Sequence, residues 1–510
     1  MEIVGSIVAG GSDRLIIREK KGANLELGEL VVIEDFNKKY IYMVSSIEYG
    51  SIIGENRLYT SAGTIVEDTN PKLEFPEDDL RFFRKVTLIP LLEVYENTYR
   101  TPRSIPNFLS KVRRIEKSDF SFLKIPENKI FLGKIRNGSK VLDLDYYMNG
   151  EEILSHHVLI AAQTGRGKSN LVKVMLWEIM NYGNFGILVL DVHNEYFGYG
   201  CLKGLKDHPK ANKALVYYSK NPPPGQKKLI VNLKSISQED LFGIIELSEP
   251  QKDAISIYVR EYGNNWLKEL LRETQENDIL FEKKKIHPST LKALRRKLGN
   301  LFRIKILENG EPHCEDEVFC FEGIGETIIS DMANALEEGK IVIIDGSTIP
   351  DETGLIIMSA VMREVFNRYE KYKNEGKLKE KVQIGVVLEE APRILGELYD
   401  KNIFGRIARE GRKFKIGLIA VTQMASVIPD EILANIGTKI IMGNEMQKER
   451  MKLIENSPQN LSDYNYIIAG LEKGESIVTS IFSKFPVPIY TPLFDDIVNK
   501  ESNKTELVFF

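Results

Sequence analysis

The spacing of apolar residues divides the chain into parts with different predicted structure. In residues 1–95, short apolar runs alternate with glycine-containing turns, as at 3–8, 30–33 and 40–44. Runs of β-branched and aromatic residues separated by turns favour the strands of a small β-barrel. Residues 96–150 are mixed, polar and interrupted by proline. We interpret them as a connector that leads into the next domain.

From residue 151 onward, the apolar runs become continuous, and stretches with helical periodicity such as 170–177 lie between them. Five of these runs predict strands buried on both faces: 158–162, 186–191, 340–345, 384–389 and 416–421. Continuous apolar strands separated by helices indicate a mostly parallel sheet covered on both sides. We therefore predict an α/β core formed by residues 151–234 and 331–480.

Residues 235–330 interrupt this alternation of strands and helices. Helical patterns cover residues 240–245, 253–262, 266–274 and 289–302. We interpret the segment as a helical-bundle insertion between two strands of the core.

The overall composition, with 43% hydrophobic and 28% charged residues, is that of an ordinary globular protein. Lys and Arg (69) nearly balance Asp and Glu (73), which excludes a uniformly basic surface but permits a basic pore inside a ring. We expect neither a signal peptide nor a membrane span, because the chain lacks a basic start with a long apolar run and a window of about 20 apolar residues.

The three cysteines, Cys201, Cys314 and Cys320, are too few for a disulfide framework. They favour a reducing compartment, and we expect the cytoplasm. A zinc site at Cys314 and Cys320, beside His313, is the less favoured interpretation, because no second ligand pair follows.

The strongest motif is Ala-Gln-Thr-Gly-Arg-Gly-Lys-Ser at residues 162–169, between a predicted strand and a predicted helix. It matches G-x-x-x-x-G-K-[ST] except that Ala162 replaces the first glycine. Backbone N–H groups in such a turn bind phosphates, and its glycines let the backbone approach them. The residues predicted to bind ATP are Thr164, Gly165, Arg166, Gly167, Lys168, Ser169 and Asn170. Lys168 would reach the β- and γ-phosphates, and Ser169 would offer a hydroxyl to Mg²⁺.

Carboxylates follow two of the predicted core strands. Glu389 and Glu390 lie at the end of one strand, at the edge where nucleotides bind in open α/β sheets. We assign Glu389 to Mg²⁺ and Glu390 to the general base that activates the attacking water. The alternative is a solvated pair that begins a helix. Asp191 and Glu195 follow another strand and are expected to line the site, whereas His193 between them is either a site residue or a loop residue.

Polar and basic residues near the last core strand complete the predicted site. Gln423 follows strand 416–421 and can sense the γ-phosphate by hydrogen bonding. Arg406, Arg409 and Arg412 are spaced by three residues, which places them near one helical face. We expect Arg409 or Arg412 to stabilise charge at the nucleotide of a neighbouring subunit. The alternative is a basic helix end exposed to solvent.

This ordered series of motifs resembles the HerA family of archaeal hexameric DNA translocases, within the wider HerA–FtsK group. Besides the barrel, the phosphate loop and the helical insertion, the resemblance rests on the motifs Asp191-x-His193-x-Glu195, Glu389-Glu390-Ala391, Ala408-Arg409-Glu410-Gly411-Arg412-Lys413 and Ala420-Val421-Thr422-Gln423. It covers nearly the whole chain. The chain departs from the family pattern at Ala162 and at Pro392, where the family often has histidine.

The resemblance implies a RecA-like core in a homo-hexameric ring, with double-stranded DNA in its channel. It also implies DNA end resection together with a NurA-type nuclease that docks on the barrel. Residues 481–510 look like the family's extended brace over a neighbouring subunit; the alternative is an edge strand and loop. The basic runs Lys283–Lys285 and Arg295–Lys297 are candidate DNA contacts, although such charge runs are usually solvated.

Together these residues predict an ATPase that translocates or unwinds DNA, and two alternatives remain. A ring that remodels protein instead of DNA would carry the same phosphate loop and arginines. A nucleotide-regulated scaffold that recruits a nuclease would need no general base, so Glu389 and Glu390 argue against it.

Overall fold

The computed structural model describes residues 2–35, 37–52, 58–59, 82–96, 98–272 and 286–507. Contacts within the chain define two compact units: 1–125 with 133–146 and 443–491, and 126–132 with 147–442 and 492–510. The predicted basic run Lys283–Lys285 lies outside the described residues.

The first 149 residues contain strands. These are β1 (Ile3–Gly10), β2 (Leu15–Glu19), β3 (Leu30–Asp35), β4 (Lys38–Ser51), β5 (Phe82–Tyr95), β6 (Thr98–Arg100), β7 (Lys111–Arg114), β8 (Lys129–Asn137) and β9 (Lys140–Asn149).

Helices and strands then alternate up to residue 345. They are α1 (Gly150–Ser155), β10 (Val158–Ala161), α2 (Lys168–Ile179), β11 (Phe185–Asp191), α3 (Ala211–Ala214), β12 (Leu215–Ser219), β13 (Lys227–Lys228), β14 (Val231–Asn232), α4 (Glu249–Tyr262), α5 (Trp266–Leu271), α6 (Pro288–Phe302), β15 (Ile304–Ile306), β16 (Pro312–Cys314), β17 (Phe319–Cys320), α7 (Ile328–Glu337) and β18 (Ile341–Asp345).

The remaining elements are α8 (Asp351–Asn374), β19 (Gln383–Leu388), α9 (Pro392–Leu395), α10 (Ile403–Glu410), β20 (Ile416–Thr422), α11 (Asp430–Asn435), β21 (Thr438–Met442), α12 (Gln447–Glu455), α13 (Asn465–Ala469), β22 (Glu475–Ser480), β23 (Val487–Tyr490) and α14 (Phe494–Leu507). Among the described residues, no helix is both long enough and apolar enough to span a bilayer.

The predicted N-terminal β-barrel is confirmed. Within the described residues, β2, β1, β7, β3, β4 and β5 pair in that order, and β2 also pairs with β5, which closes the barrel. Alternate side chains point inward, so Val31, Ile33, Tyr40 and Tyr42 are buried in its core. β7 comes from the stretch predicted as a connector, so the barrel continues beyond residue 95.

The predicted parallel sheet is also confirmed, and it forms the centre of the second unit. Its strands in the described part of the chain lie side by side in the order β13, β12, β18, β11, β19, β20, β10 and β21, and each pairing recorded between them is parallel. Every residue of β10, β11, β18, β19 and β20 is buried. This burial explains why these strands read as continuous apolar runs rather than alternating ones.

The insertion differs from its prediction at residues 240–245, where the predicted helix is wrong. Asp240 ends a 3₁₀ turn, and its buried carboxylate accepts two hydrogen bonds from the Arg363 guanidinium, at 2.9 and 2.8 Å. Gly243 follows with a φ of +74°, a left-handed conformation that a helix cannot contain. The other predicted helices correspond to α4, α5 and α6, and an antiparallel pair formed by β15 and β16 follows α6.

The C-terminal segment is extended only in part. Residues 487–490 form β23, which pairs with β22, but residues 494–507 form helix α14 instead of the predicted extended brace. Asp495 and Asp496 in the first turn favour this helix through its dipole. Phe494 is buried and packs edge-on against Trp177 of α2, with ring centroids 5.2 Å apart.

Candidate active site

The loops predicted to carry the chemistry meet at one edge of the parallel sheet. β11, β19, β20 and β10 are consecutive neighbours, with Ala161 paired to Thr422 and Leu388 paired to Ala420. Because parallel strands present their carboxyl ends at the same edge, the residues that follow these strands lie together. That edge contains the phosphate loop, Glu389, Asp191 and Gln423.

The phosphate loop joins β10 to α2 through two left-handed glycines. Gly165 has a φ of +79° and Gly167 a φ of +105°, which only glycine adopts without strain. A Cβ placed on Gly165 would meet no heavy atom within 4 Å, so the loop presents an open cradle. α2 begins at Lys168 and is twelve residues long, so its N-terminal amides and dipole favour an anion beside the loop.

Lys168 is held inside this loop. Its half-buried ammonium donates hydrogen bonds to the carbonyl oxygens of Ala162, at 3.0 Å, and Gln163, at 3.3 Å. Burial lowers the pKa of Lys168, and the nearby charge of Glu389 acts in the opposite direction. A partly desolvated cation at a helix N-terminus is suited to bind a phosphate group.

Glu389 is the carboxylate whose charge acts on Lys168. It is half-buried, and burial raises its pKa, opposed by a hydrogen bond from the Tyr196 hydroxyl and by the charge of Lys168. The described residues contain no group of three or more His, Cys, Asp or Glu side chains arranged to hold a metal. Mg²⁺ is commonly bound by one or two carboxylates together with phosphate oxygens and water, which is what a single Glu389 could support.

Glu390 occupies a different environment from its neighbour. Its side chain is exposed, and its backbone has a φ of +49°, which is uncommon for a residue other than glycine. The following amide, Ala391 N–H, donates to Val421 O at 2.9 Å and ties this turn to the end of β20. Non-glycine residues held in this conformation cluster at functional sites, where the surrounding structure fixes them.

Asp191 uses both carboxylate oxygens to build the loop that follows β11. Oδ1 accepts the amide of Glu195 at 2.8 Å, and Oδ2 accepts the amides of Tyr196 and Phe197, each at 3.0 Å. Its side chain is therefore engaged with its own loop. Glu195 and His193 are exposed, and the charges of both act on Glu389.

Two further predicted residues have well-defined partners. Gln423 Oε1 accepts a hydrogen bond from Thr164 Oγ1 at 2.6 Å, so the end of β20 contacts the phosphate loop. Asn170 instead faces the C-terminal segment: its Nδ2 donates to Pro492 O at 2.9 Å, and its Oδ1 accepts the Phe494 amide at 2.8 Å. The side chain of Asn170 thus fixes the tail to α2.

The three arginines differ in their local contacts. Arg406 lies over the Phe366 ring at 4.1 Å and is 3.6 Å from Glu370. Arg409 is exposed and lies 5.4 Å from the ring centroid of Tyr399. Arg412 is exposed in the 3₁₀ turn after α10, so it does not share a helix with the other two.

The basic run in α6 has a mainly structural role at its first position. Arg295 donates to Leu270 O at 2.7 Å and Arg272 O at 2.8 Å, which satisfies carbonyls at the end of α5. Lys297 is exposed and donates to the Glu246 carbonyl, whereas Arg296 is simply exposed. Of these three residues, Arg296 therefore remains the candidate DNA contact.

Two further residues at this edge were not predicted from the sequence. Tyr196 is buried and donates to Glu389, but a tyrosine in a loop gives no signal of such a partner. Asp345 ends β18 in register with Asp191 and accepts hydrogen bonds from Ser219 and Ser347, both at 2.6 Å. Its position after an apolar strand was the same signal that identified Asp191.

Residues 130–365 match a family model described as the central domain of helicase HerA. The chain is 24% identical to the DNA double-strand break repair helicase HerA of Sulfolobus acidocaldarius, over 99% of this chain and 95% of the relative. Its identity to the protein of the same name from Pyrococcus furiosus is also 24%, over 68% of this chain and 67% of that relative. Among solved structures, this chain is similar to VirB4 of Thermoanaerobacter pseudethanolicus. The match covers 72% of this chain and 97% of the VirB4 chain at 15% identity, with a TM-score of 0.46.

Proposed function

We propose that this chain is a member of the HerA helicase family and couples ATP hydrolysis to movement along, or unwinding of, double-stranded DNA. The observation that carries the proposal is the meeting of Lys168, Glu389 and Gln423 at one edge of the parallel sheet. These residues combine a phosphate-binding cation, a carboxylate for a metal and a polar contact to the loop, as expected for phosphoryl transfer.

The residues at this edge fit ATP and Mg²⁺ as cofactors. The open cradle at Gly165 and the amides at the start of α2 suit the phosphates, and Lys168 donates hydrogen bonds to two carbonyls of its own loop. Ser169 and Glu389 would hold Mg²⁺, and Glu390 would accept the proton of the attacking water. ATP and Mg²⁺, when bound, supply the γ-phosphoryl group and neutralise the charge that its transfer develops.

The proposed assembly is a homo-hexameric ring in which Arg409 or Arg412 reaches the nucleotide of the adjacent subunit. Both side chains are exposed, as such a role requires, whereas Arg406 has acidic and aromatic neighbours in its own chain. In such a ring the tail, residues 481–510, would reach the adjacent subunit, while Pro492 and Phe494 stay hydrogen-bonded to Asn170 of α2.

The proposed substrate is duplex DNA, and the names of the relatives as double-strand break repair helicases support it. A net charge of −4 then requires the DNA contacts to be concentrated in a small part of the surface. The finer proposal is end resection in partnership with a NurA-type nuclease that docks on the barrel. Its test is co-elution of such a nuclease with the full chain, and loss of co-elution when barrel surface residues are changed.

Single-particle imaging of the full chain with blunt duplex DNA and a non-hydrolysable ATP analogue tests the proposed function. The expected result is a six-membered ring with duplex density along its axis. Rings that never contain DNA, combined with ATP hydrolysis stimulated only by an added protein substrate, would instead support a protein-remodelling motor.

A further inference from the structure

Tyr196 lies directly behind the carboxylate assigned to the metal. It is 3% exposed, and its hydroxyl donates a hydrogen bond to Glu389 Oε1. Glu389 is in turn the charge that acts on Lys168. A hydrogen bond therefore links Tyr196 to Glu389, whose charge acts on Lys168 in the phosphate loop.

The position of Tyr196 is set by its own loop and not by Glu389. Asp191 accepts the amides of Tyr196 and Phe197, and the Tyr196 carbonyl accepts the Leu205 amide at 2.8 Å. The Phe197 ring stacks on Tyr217 with centroids 3.9 Å apart. The backbone on both sides of Tyr196 is thus fixed, and so is the point from which its hydroxyl donates.

We propose that Tyr196 is a positioning residue for the metal, which holds Glu389 Oε1 so that Oε2 is left to Mg²⁺. Asp191 acts through Tyr196, by building the loop that carries it. This inference rests on the proposed function, because it presumes that Glu389 is the carboxylate that binds Mg²⁺.

The physical reason lies in the freedom of a glutamate side chain. A carboxylate has two oxygens and its terminal torsion is broad, so an unheld Glu389 would present either oxygen over a range of angles. One fixed donor removes that freedom. Loss of the outer partner of a metal ligand typically costs 10–100-fold in metal affinity.

The test replaces Tyr196 with phenylalanine, with Tyr199→Phe as the matched control. Tyr199 lies three positions further along and is 74% exposed. Mg²⁺ is titrated while binding of a fluorescent ATP analogue and ATP hydrolysis are measured. For Tyr196→Phe, the Mg²⁺ concentration at half-saturation should rise roughly tenfold, with analogue binding in EDTA unchanged and the hydrolysis rate restored at saturating Mg²⁺. For Tyr199→Phe, both curves should match the wild type.

An unchanged Mg²⁺ titration in Tyr196→Phe would overturn the inference. So would a hydrolysis rate that stays low at saturating Mg²⁺, because that result indicates a defect in folding or chemistry rather than in metal binding. In a Glu389→Gln background, Tyr196→Phe should cause no further change in Mg²⁺ dependence, and an additional tenfold loss there would contradict the proposed route. A wild-type chain that binds no analogue even with Mg²⁺ would instead refute the proposed function.

Discussion

The Glu389 carboxylate acts electrostatically on the Lys168 ammonium at the carboxyl edge of the parallel sheet, although the two residues come from widely separated parts of the sequence. Both side chains are half-buried, so their charges interact more strongly than they would in water. Lys168 also donates hydrogen bonds to two carbonyls of its own loop. The Lys168 ammonium, the Glu389 carboxylate and the open glycine loop form the centre of the proposed ATP site.

The two adjacent glutamates should have separable roles. Glu390 is exposed, whereas Glu389 is half-buried beside Lys168. We predict that Glu390→Gln lowers the ATP hydrolysis rate by roughly 10²–10⁴ and leaves Mg²⁺-dependent nucleotide binding intact, because it removes the general base alone. Glu389→Gln should weaken the Mg²⁺ dependence of binding itself. Paired binding and hydrolysis assays check this, and a Glu390→Gln variant that hydrolyses ATP normally would contradict the assignment.

The exposed arginines should act between subunits. We predict that Arg409→Ala or Arg412→Ala lowers hydrolysis by roughly 10³–10⁵, because one of them stabilises charge at the nucleotide of the adjacent subunit. Mixing that variant with Lys168→Ala subunits should restore part of the activity, since some interfaces then combine an intact loop with an intact arginine.

Arg406→Ala is the matched control for this experiment, because Arg406 has acidic and aromatic neighbours within its own chain. It should keep most of the hydrolysis rate. A mixture that shows no recovery with either arginine variant would place the catalytic arginine elsewhere or within the same subunit.

His157 should make the stability of the ATPase unit depend on pH. Burial, together with the charge of His156, lowers the pKa of His157 to about 4, against a hydrogen bond to Ala408 that acts in the other direction. Its Nδ1 accepts the Leu418 amide at 3.1 Å, which requires the neutral ring. The pKa of His157 is lower in the folded protein than its unfolded value of 6.5. The stability that the neutral ring contributes is therefore complete above pH 6.5 and is lost as the pH falls towards 4.

Protonating the buried ring as the pH falls from 7 to 4 should cost about 3 kcal/mol of stability. The unfolding temperature of His157→Asn should therefore vary less between pH 4 and 7 than that of the wild type. At pH 7 the variant should be less stable than the wild type. His313→Gln, at an exposed histidine, should reproduce the wild-type curve. Parallel curves for wild type and His157→Asn would show that His157 does not titrate in this range.

The C-terminal tail should stabilise the helix that follows the phosphate loop. Asn170→Ala removes two hydrogen bonds to the tail, one from Phe494 N–H and one to Pro492 O. We predict a loss of about 1–3 kcal/mol in the free energy of unfolding, measured by urea titration. Lys213→Ala, at an exposed position, should leave that free energy unchanged. An unchanged free energy in Asn170→Ala would mean that the tail does not stay on α2 in solution.

The sequence predicted those parts of the fold in which local pattern and environment agree. The core strands are buried along their whole length, so each appears as an unbroken apolar run. The phosphate loop appears through Gly165 and Gly167, because only glycine adopts their left-handed conformations without strain.

Features that depend on distant partners could not be predicted in the same way. β7 has the sequence Lys-Val-Arg-Arg, which is not an apolar run, and Arg113 is buried with Asp119 accepting two of its hydrogen bonds, both at 2.7 Å. The hydrogen bond from Tyr196 to Glu389 and the attachment of Asn170 to the tail have no local signature either. Each of these requires the folded chain to bring its partner close.

Steady-state ATP hydrolysis by the wild type and by Lys168→Ala, each with and without blunt duplex DNA, tests whether Lys168 belongs to the site of DNA-stimulated hydrolysis. We predict that duplex DNA raises the wild-type rate and that Lys168→Ala lowers it by roughly 10²–10³ under both conditions, with the same particle size on gel filtration. A Lys168→Ala protein that still hydrolyses ATP at the wild-type rate would show that the nucleotide site lies elsewhere and would contradict the account.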